Sequence, residues 1–571
     1  MPPEPTRRRS ALIAVAASAV VLVLLTLGAV RIARSDAAGP ARPAAPAAAP
    51  VAVRLVAFND LHGNLEPPAG SSGRVTADDG AAVDAGGAAF LAAHVARLRA
   101  GAPHTVLLSA GDNVGASPAA SALFHDEPTV DLLDSLGVAA SVVGNHEFDE
   151  GLPELQRLAH GGCHPTDGCT FRPDFTGATF PFLGANVGVA GGTPPLPAST
   201  VVETGGVRIG VIGVTLHDLP TVVSADAVRG LTFGDEVAAI DRASDELTAQ
   251  GVTAQVVLMH QGDEGARTPD ACPATPDGPA SRIARAATPQ VDVFLTGHSH
   301  QQYVCSEPDP AGTPRPVVQG LSFGRLLSVV DLTIENGDVV RDRTTARNEI
   351  VTRDVAPDPA TAALVSEAVG KAAPVAGRRI GSITRDLVRA GVTSGESPLG
   401  DVIADAQLAA TRDAGAQVAL TNPGGIRADL PFAPDGVITY GEAFTVQPFG
   451  NIMQTVTLTG AQLHGVLEQQ WQPSTTRFLQ VSSTLHYSWS QAAPTGSKVS
   501  DLRVDGVPVD PAATYRVSVN NFLAAGGDGF TGFTAGTAVT GGVVDLDALL
   551  SYLSANPGLS PPPADRVTML P

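Results

Sequence analysis

Short apolar runs that end in polar, glycine-rich turns recur along the first half of this chain. Val53-Arg54-Leu55-Val56-Ala57-Phe58 runs into Asn59-Asp60-Leu61-His62-Gly63, and Thr105-Val106-Leu107-Leu108-Ser109-Ala110 into Gly111-Asp112-Asn113. Ala139-Ala140-Ser141-Val142-Val143 leads into Gly144-Asn145-His146-Glu147-Phe148-Asp149. Val256-Val257-Leu258-Met259 ends at His260-Gln261-Gly262, and Val291 to Thr296 ends at Gly297-His298-Ser299-His300. Each run reads as a strand. Strand side chains alternate, so Asp60 and His62 are expected to point the same way at the strand's end, as two ligands of one metal must. Further on, the strand-like Leu326 to Val330 and a polar turn give way to a Pro-punctuated link, and Thr361 to Ala373 predicts a helix. These shifts divide the chain into a first domain at 51–345, a link with its helix at 346–375 and a second domain at 376–571.

A length of 571 residues accommodates two such domains with proper cores. Apolar residues make up 44% and charged residues 16%, with 61 Gly and 46 Pro, which describes globular protein with many turns and excludes a coiled coil. The net charge of −21 repels polyanions, so general nucleic-acid binding is excluded, while a local positive site can still take a small anion. Arg7-Arg8-Arg9 precedes an uncharged stretch from Ser10 to Val30, about the length that crosses a bilayer as a helix. Residues 1–35 therefore read as a signal peptide or an N-terminal transmembrane anchor, and both readings imply export. Ser35-Asp36-Ala37 offers small residues for cleavage, and residues 36–50 form an Ala/Pro-rich linker. Four cysteines in an exported chain favour the local disulfides Cys163–Cys169 and Cys272–Cys305, with zinc ligation as the competing reading.

Five strand ends thus carry carboxylate, amide or imidazole groups. His94, His104, His125, His160, His164, His217, His464 and His486 fit no such pattern and read as isolated histidines. Oxygen donors mixed with imidazole nitrogen suit Zn²⁺, Mn²⁺ or Fe²⁺ better than Ca²⁺, and there are enough ligands for two ions sharing one carboxylate. Such a centre activates water and clamps the attacking and leaving oxygens of an in-line displacement, most often at phosphorus.

The order Asp-x-His, Gly-Asp, Gly-Asn-His-Glu-Phe-Asp, His, Gly-His-x-His resembles the calcineurin-like metallophosphoesterases. Within them, Asn59 to Gly63 and Gly144 to Asp149 resemble the 5'-nucleotidase family, over roughly residues 51 to 571. That resemblance implies an α/β fold, a four-layered α/β/β/α sandwich followed by a smaller α+β substrate-binding domain. It also implies that Asp60, His62 and His300 hold one metal, that Asn145, His260 and His298 hold the other, and that Asp112 bridges them. His146, oriented by Asp149, would stabilise the transition state.

In the second domain, the strand Val418 to Thr421 feeds Asn422-Pro423-Gly424-Gly425-Ile426-Arg427, a turn that lets backbone approach a ligand and sets a guanidinium there. Gln447 to Asn451 and Asn520 to Phe530 each place Phe in a Gly-rich loop, in a chain only 4% aromatic. Two opposed Phe rings can sandwich a flat heterocycle. These loops resemble those of the 5'-nucleotidase C-terminal domain. The likeness implies that Phe449 and Phe522 stack on the base, Asn451 contacts its edge, Asp528 binds ribose hydroxyls, and Asn422 and Arg427 reach the phosphate side. One departure stands out: Ser394-Gly395-Glu396-Ser397-Pro398-Leu399-Gly400 lacks the Arg that family members often carry just before Glu-x-x-x-Gly. Either Arg389 substitutes for it or the contact is missing.

The reading is an extracellular or cell-surface phosphohydrolase with two divalent ions, removing the 5'-phosphate of nucleotides. The alternatives are a UDP-sugar hydrolase, a 2',3'-cyclic-nucleotide phosphodiesterase or an inactive nucleotide-binding surface module. All seven ligands are present, which an inactive module would not require.

Overall fold

The computed structural model describes residues 49–571, apart from 78, 225, 265–268, 273–277 and 474. The apolar run 10–30 and residues 36–48 of the linker lie outside the described residues. Among the described residues no helix is long and apolar enough to cross a membrane.

Two sheets build the first domain. In one, Leu326–Glu335, Val51–Phe58, Thr105–Ser109, Val138–Val142 and Phe182–Leu183 are successive neighbours, and all pairs after the first are parallel. The other runs Gln302–Pro308, Pro314–Gly320, Val293–Thr296, Ala254–His260, Val207–Thr215 and Ser199–Thr204, parallel through its four central strands. Alternation along these strands produces the layers. Val53, Leu55 and Ala57 share a core with Val211, Val256, Leu258 and Leu295 of the facing sheet. Val56 and Phe58 turn the other way, toward Leu91, Val95 and Leu98 of the helix Ala88–Gly101. On the far side of the second sheet, Ile212, Val214, Val257 and Met259 pack with Ile240 and Leu247 of the helix Glu236–Ala249. The result is helix, sheet, sheet, helix, as expected.

The first sheet extends past the expected boundary at 345. Thr345–Ile350 pairs antiparallel with Leu326–Glu335, so the link begins only after Ile350. This strand is half-buried and polar (Thr345-Ala346-Arg347-Asn348-Glu349-Ile350), and edge strands of that kind lack the apolar run by which the others are read. The connecting helix spans Pro359–Ala376, longer at both ends than Thr361 to Ala373. Asp358 caps it, accepting from the Thr361 N–H at 2.8 Å, and Ala368 and Ala372 seat it in the core of the first domain.

The C-terminal part is α+β. Its five-stranded sheet runs Gln480–Val481, Val418–Thr421, Thr514–Asn520, Ile452–Thr459 and Thr537–Val544. Val418–Thr421 and Thr514–Asn520 are parallel, and Ile452–Thr459 is antiparallel to the latter, with Met453 opposite Asn520. The loops after the first two strands and the loop before the third therefore emerge at one end of the sheet. Both disulfides are formed, Cys163 with Cys169 and Cys272 with Cys305, which removes the zinc reading of these cysteines.

Arg315 ties the second sheet to its helix. It is fully buried on the strand Pro314–Gly320 and donates to the carbonyls of Ala284 (Nε, 3.1 Å), Thr288 (2.8 Å), Val291 (2.9 Å) and Ala287 (2.7 Å). These are carbonyls that the C-terminus of the helix Pro279–Ala286 and the turn after it leave without helical donors. Arg315→Met keeps much of the volume but strands the carbonyls of Ala284 and Ala287, whereas those of Val291 and Thr288 keep the Arg341 guanidinium (2.8 Å) and the Val291 N–H (3.3 Å). Thermal and urea unfolding should show a loss of about 2–4 kcal/mol, and an unchanged midpoint would mean that water replaces the guanidinium without cost.

Candidate active site

Because the strands that carry the motifs run parallel within each sheet, their C-terminal ends meet along one rim. There Asp60, His62, Asp112, Asn145 and His260 are buried and His298 and His300 partly so. The backbone differs from the strand alternation expected at Asp60 and His62. The strand stops at Phe58, and Asp60 (φ 52°), His62 (φ 46°), Asp112 (φ 50°), His298 (φ 71°) and His300 (φ 55°) all adopt left-handed conformations. Side chains this close to one another require tight turns, and non-glycine residues adopt such turns only where surroundings enforce them. Here the enforcement includes loop-to-loop hydrogen bonds: Asp60 N–H to Gly111 O, His62 N–H to Asp112 O and Gly63 N–H to Asn113 O, each 2.9 Å.

A carboxylate to which the sequence reading gave no role holds two of these loops together. Glu147 accepts from the backbone N–H of Asp112 (2.9 Å), Asn113 (2.8 Å) and Gly144 (2.6 Å). Burial, helped by the neighbouring Asp112 charge, pushes its carboxyl up to about 7. Asn59 is the second such residue. Its Nδ2 donates to Asp60 Oδ2 at 2.6 Å, and its Oδ1 accepts from Gly320 N–H at 3.1 Å. Both residues sit inside the motifs, but only three-dimensional proximity reveals what they hold. Gly144 is needed for space, since a Cβ there would lie 2.1 Å from Asp112 Oδ1 and 2.6 Å from His260 Cε1.

The donor atoms form two groups. In the first, Asp60 Oδ1 lies 3.3 Å from His300 Nε2, which lies 3.2 Å from His62 Nε2. In the second, Asn145 Oδ1 lies 3.3 Å from His260 Nε2 and 2.9 Å from His298 Nδ1. Asp112 Oδ2 faces both, 3.6 Å from His62 Nε2 and 3.1 Å from His260 Nε2. These separations bracket the roughly 3.3 Å edge of a tetrahedron with metal–nitrogen distances near 2.0 Å. The tautomers fit as well. His62 Nδ1 and His260 Nδ1 lie 2.9 and 2.8 Å from the carbonyls of Gly115 and Ala110, which places the ring protons there and leaves both Nε2 lone pairs facing the cluster. The donor set therefore fits two divalent ions.

Beside it, His146 Nδ1 lies 2.8 Å from Asp149 Oδ2. Burial disfavours a proton on His146, but the Asp149 and Asp112 carboxylates outweigh it and raise the pKa. Arg427 Nη2 reaches within 3.2 Å of His62 Nε2, bringing a guanidinium from the C-terminal part to the donor cluster. One cavity of about 420 Å³ is lined by Asp112, Asn145, His146 and Asp149 from the first domain and by Asn422, Arg427, Phe449, Asn451, Phe522 and Asp528 from the second. Phe449 stacks on His146 (centroids 5.5 Å apart, 19° between planes) and lies 5.7 Å from the Arg427 guanidinium carbon. Asn422 Nδ2 donates to Asp528 Oδ2 (2.7 Å), and Asn451 Nδ2 donates to Asp545 Oδ2 (3.1 Å). Arg389 does not take the place of the missing arginine. Its side chain is turned to Ser72 Oγ (3.3 Å) and the Ile426 carbonyl (3.4 Å), and it is not part of the cavity wall. Arg477, which no local pattern marked, does line it, as does Asn520 at the start of the second Phe-bearing loop.

Paired sheets whose ends gather two imidazole-rich donor groups around one shared carboxylate define the metallophosphoesterase class. Residues 53–302 match the calcineurin-like phosphoesterase family, and residues 370–535 match the 5'-nucleotidase C-terminal domain. The chain is 33% identical over 542 residues to cell wall protein Lmo0130 of Listeria monocytogenes, and 31% identical over 516 residues to endonuclease YhcR of Bacillus subtilis. Each alignment covers 88% of this chain, but the chain spans 67% of Lmo0130 and 40% of YhcR. Among solved structures, the 5'-nucleotidase precursor of Thermus thermophilus superimposes with a TM-score of 0.76 at 29% identity, over 91% of this chain and 99% of that one. The chain belongs to the 5'-nucleotidase family.

Asp112→Ala should deplete both metal positions together, because one carboxylate serves both donor groups. Metal analysis of the purified variant checks this, and a full complement with near-normal turnover would overturn the shared-carboxylate geometry.

Proposed function

We propose that the protein is an exported phosphohydrolase with two divalent ions that removes the 5'-phosphate from nucleotides, giving nucleoside and phosphate. The observation that carries this reading is the shared cavity: the metal-donor cluster and the aromatic, Gly-rich loops open into the same 420 Å³ space. Asp60, His62 and His300 would hold one ion, Asn145, His260 and His298 the other, with Asp112 between them. Bound there, the ions supply an activated water and offset charge on the phosphoryl group. The chain's own residues supply the rest. Asp149 fixes the His146 ring through Nδ1 and favours its protonated form, so that Nε2 presents an N–H to a phosphoryl oxygen. Arg427 adds a second cationic donor from the opposite wall. Phe449 and Phe522 provide apolar surface for the base, and Asn451, Asp528 and Asn422 provide polar groups for its edge, the ribose and the phosphate side.

YhcR is called an endonuclease, but the charge of −21 on this chain opposes a polyanionic substrate, so we assign single nucleotides. UDP-sugars and 2',3'-cyclic nucleotides present the same base and phosphorus to the same walls and are the second reading. Two disulfides accord with an extracellular or cell-surface location. In this reading the metallophosphoesterase domain runs from 51 to 350, followed by the connecting helix and the substrate-binding domain.

The two sets of residues should fail differently. Phe522→Ala should lower kcat/KM for AMP about ten- to a hundredfold, matching the 1–3 kcal/mol of one stacking contact, while barely changing hydrolysis of p-nitrophenyl phosphate. His146→Asn should lower both by about 10²–10³-fold. Equal losses on the two substrates for Phe522→Ala, with metal content and folding unchanged, would remove the nucleobase from the proposal.

A further inference from the structure

Outside the dinuclear cluster lies a second group of metal-ligating side chains, one of which, Glu150, lines the same cavity. His125 and His164, which sequence alone marks as isolated, stack face to face with ring centroids 3.6 Å apart and 12° between planes. The rings run in opposite senses, so each edge of the stack presents one nitrogen from each ring to a carboxylate. On one edge Glu150 Oε2 lies 3.4 Å from His125 Nδ1 and 3.9 Å from His164 Nε2. On the other, Asp167 Oδ2 lies 2.9 Å from His125 Nε2 and 3.5 Å from His164 Nδ1.

We infer that His125, His164 and Glu150 form a third divalent-cation site, suited to zinc, with Asp167 behind it as the carboxylate that orients the imidazoles. The donor atoms of the three residues all lie within 4.8 Å of one another. Two imidazoles and a carboxylate are a zinc-type donor set with an open fourth position.

Three further observations favour the Glu150 edge. His125 Nε2 is engaged by Asp167 Oδ2 at 2.9 Å, which keeps a ring proton there and leaves Nδ1, facing Glu150, as the nitrogen that would bind an ion in exchange for its own proton. That Nδ1 is buried and meets Glu150 Oε2 only in a loosely aligned ion pair at 3.4 Å. His125 also sits at φ 49° and the adjacent Asp126 at φ 58°, left-handed backbone that two consecutive non-glycine residues adopt only at a cost.

The loop that supplies His164 and Asp167 is prearranged. The Cys163–Cys169 disulfide closes it, and His164 and Gly168 exchange backbone hydrogen bonds of 3.2 and 2.9 Å across it. Parallel rings aim their lone pairs in parallel, so binding requires one ring to turn. For His164 this means giving up the bond its Nδ1 accepts from the Asp167 N–H (3.2 Å) and passing its ring proton to that nitrogen beside Asp167 Oδ2. Glu150 lines the catalytic cavity and directly follows Asp149, so an ion here would pin the disulfide loop to the start of the helix Gly151–His160.

The test uses the full chain, loaded with zinc and then desalted, and counts the ions retained. The expected result is one zinc beyond the two of the dinuclear centre, lost in His164→Ala and in Glu150→Gln, both of which alter partly exposed side chains. In cobalt-loaded protein, the same two variants should lose one set of tetrahedral d–d bands. Retention of only two ions by the wild type, or retention of the extra ion by both variants, would overturn the site and leave the cluster as histidines ion-paired to carboxylates. Because the readout is metal content beyond the dinuclear pair, failure here is distinct from failure of the proposed activity.

Discussion

Burying the Asp112 carboxylate costs several kcal/mol unless each oxygen is met, and much of the local backbone is shaped by meeting them. Oδ1 accepts the His146 N–H at 2.8 Å, while Oδ2 stands between His62 and His260. Glu147, a second buried acid, lies close enough to feel the Asp112 charge, and it is held by three backbone N–H groups from the loops that carry Asp112 and Asn145. Two acids so placed are sustainable only among cations or cation-binding donors. The imidazoles around them are arranged accordingly, with protons on the outer nitrogens and lone pairs inward. The left-handed residues at the strand ends follow from this demand, since extended backbone would carry Asp60, His62 and Asp112 away from one another.

Period-two patterns and short apolar runs were enough to read the layers. Val53, Leu55 and Ala57 go to one face and Val56 and Phe58 to the other, as alternation requires. Motif order likewise brought the donor residues into view. The reading failed where the determining contacts are non-local or the local pattern is weak. Thr345–Ile350 joins the first sheet through a ladder with Leu326–Glu335 that its own polar sequence does not announce. His125 and His164 belong to different segments that meet only when the disulfide loop folds back. Arg389 illustrates the converse: it is near the expected place in sequence, yet Ser72, from the other domain, draws its guanidinium away.

Substrate recognition and chemistry are less separate in space than in sequence. Phe449, proposed to serve the base, also stacks on His146, whose Nδ1 is held by Asp149. Arg427 touches the donor cluster on one side and approaches Phe449 on the other. A change in the Gln447 to Asn451 loop therefore reaches the phosphoryl end through ring packing as well as the base end. Phe522, packed over Gly527, has no such contact with His146; a Cβ on Gly527 would lie 2.5 Å from its ring. Of the two aromatic residues it is the one whose removal leaves the ring packing on His146 in place.

The cavity gathers cationic groups that the chain as a whole lacks in balance. The protein carries −21 overall, which repels extended polyanions at a distance, but screening limits that field to about a Debye length, near 8 Å at physiological salt. Within that range the cavity carries both signs, since Asp112, Asp126, Asp149, Glu150, Glu264 and Asp528 line it beside the cationic groups. Arg427 and Arg477 line the wall, and His146 is biased toward its cation by Asp149 and Asp112. Two divalent ions in the donor cluster would shift this mixed lining toward positive charge. A small phosphate ester needs to enter only this region, whereas a polymer must also lie along the acidic surface beyond it. In the proposed reading, the cationic groups and the ions they would accompany sit at one place in an otherwise acidic chain, and that arrangement favours a short anion over a polymer.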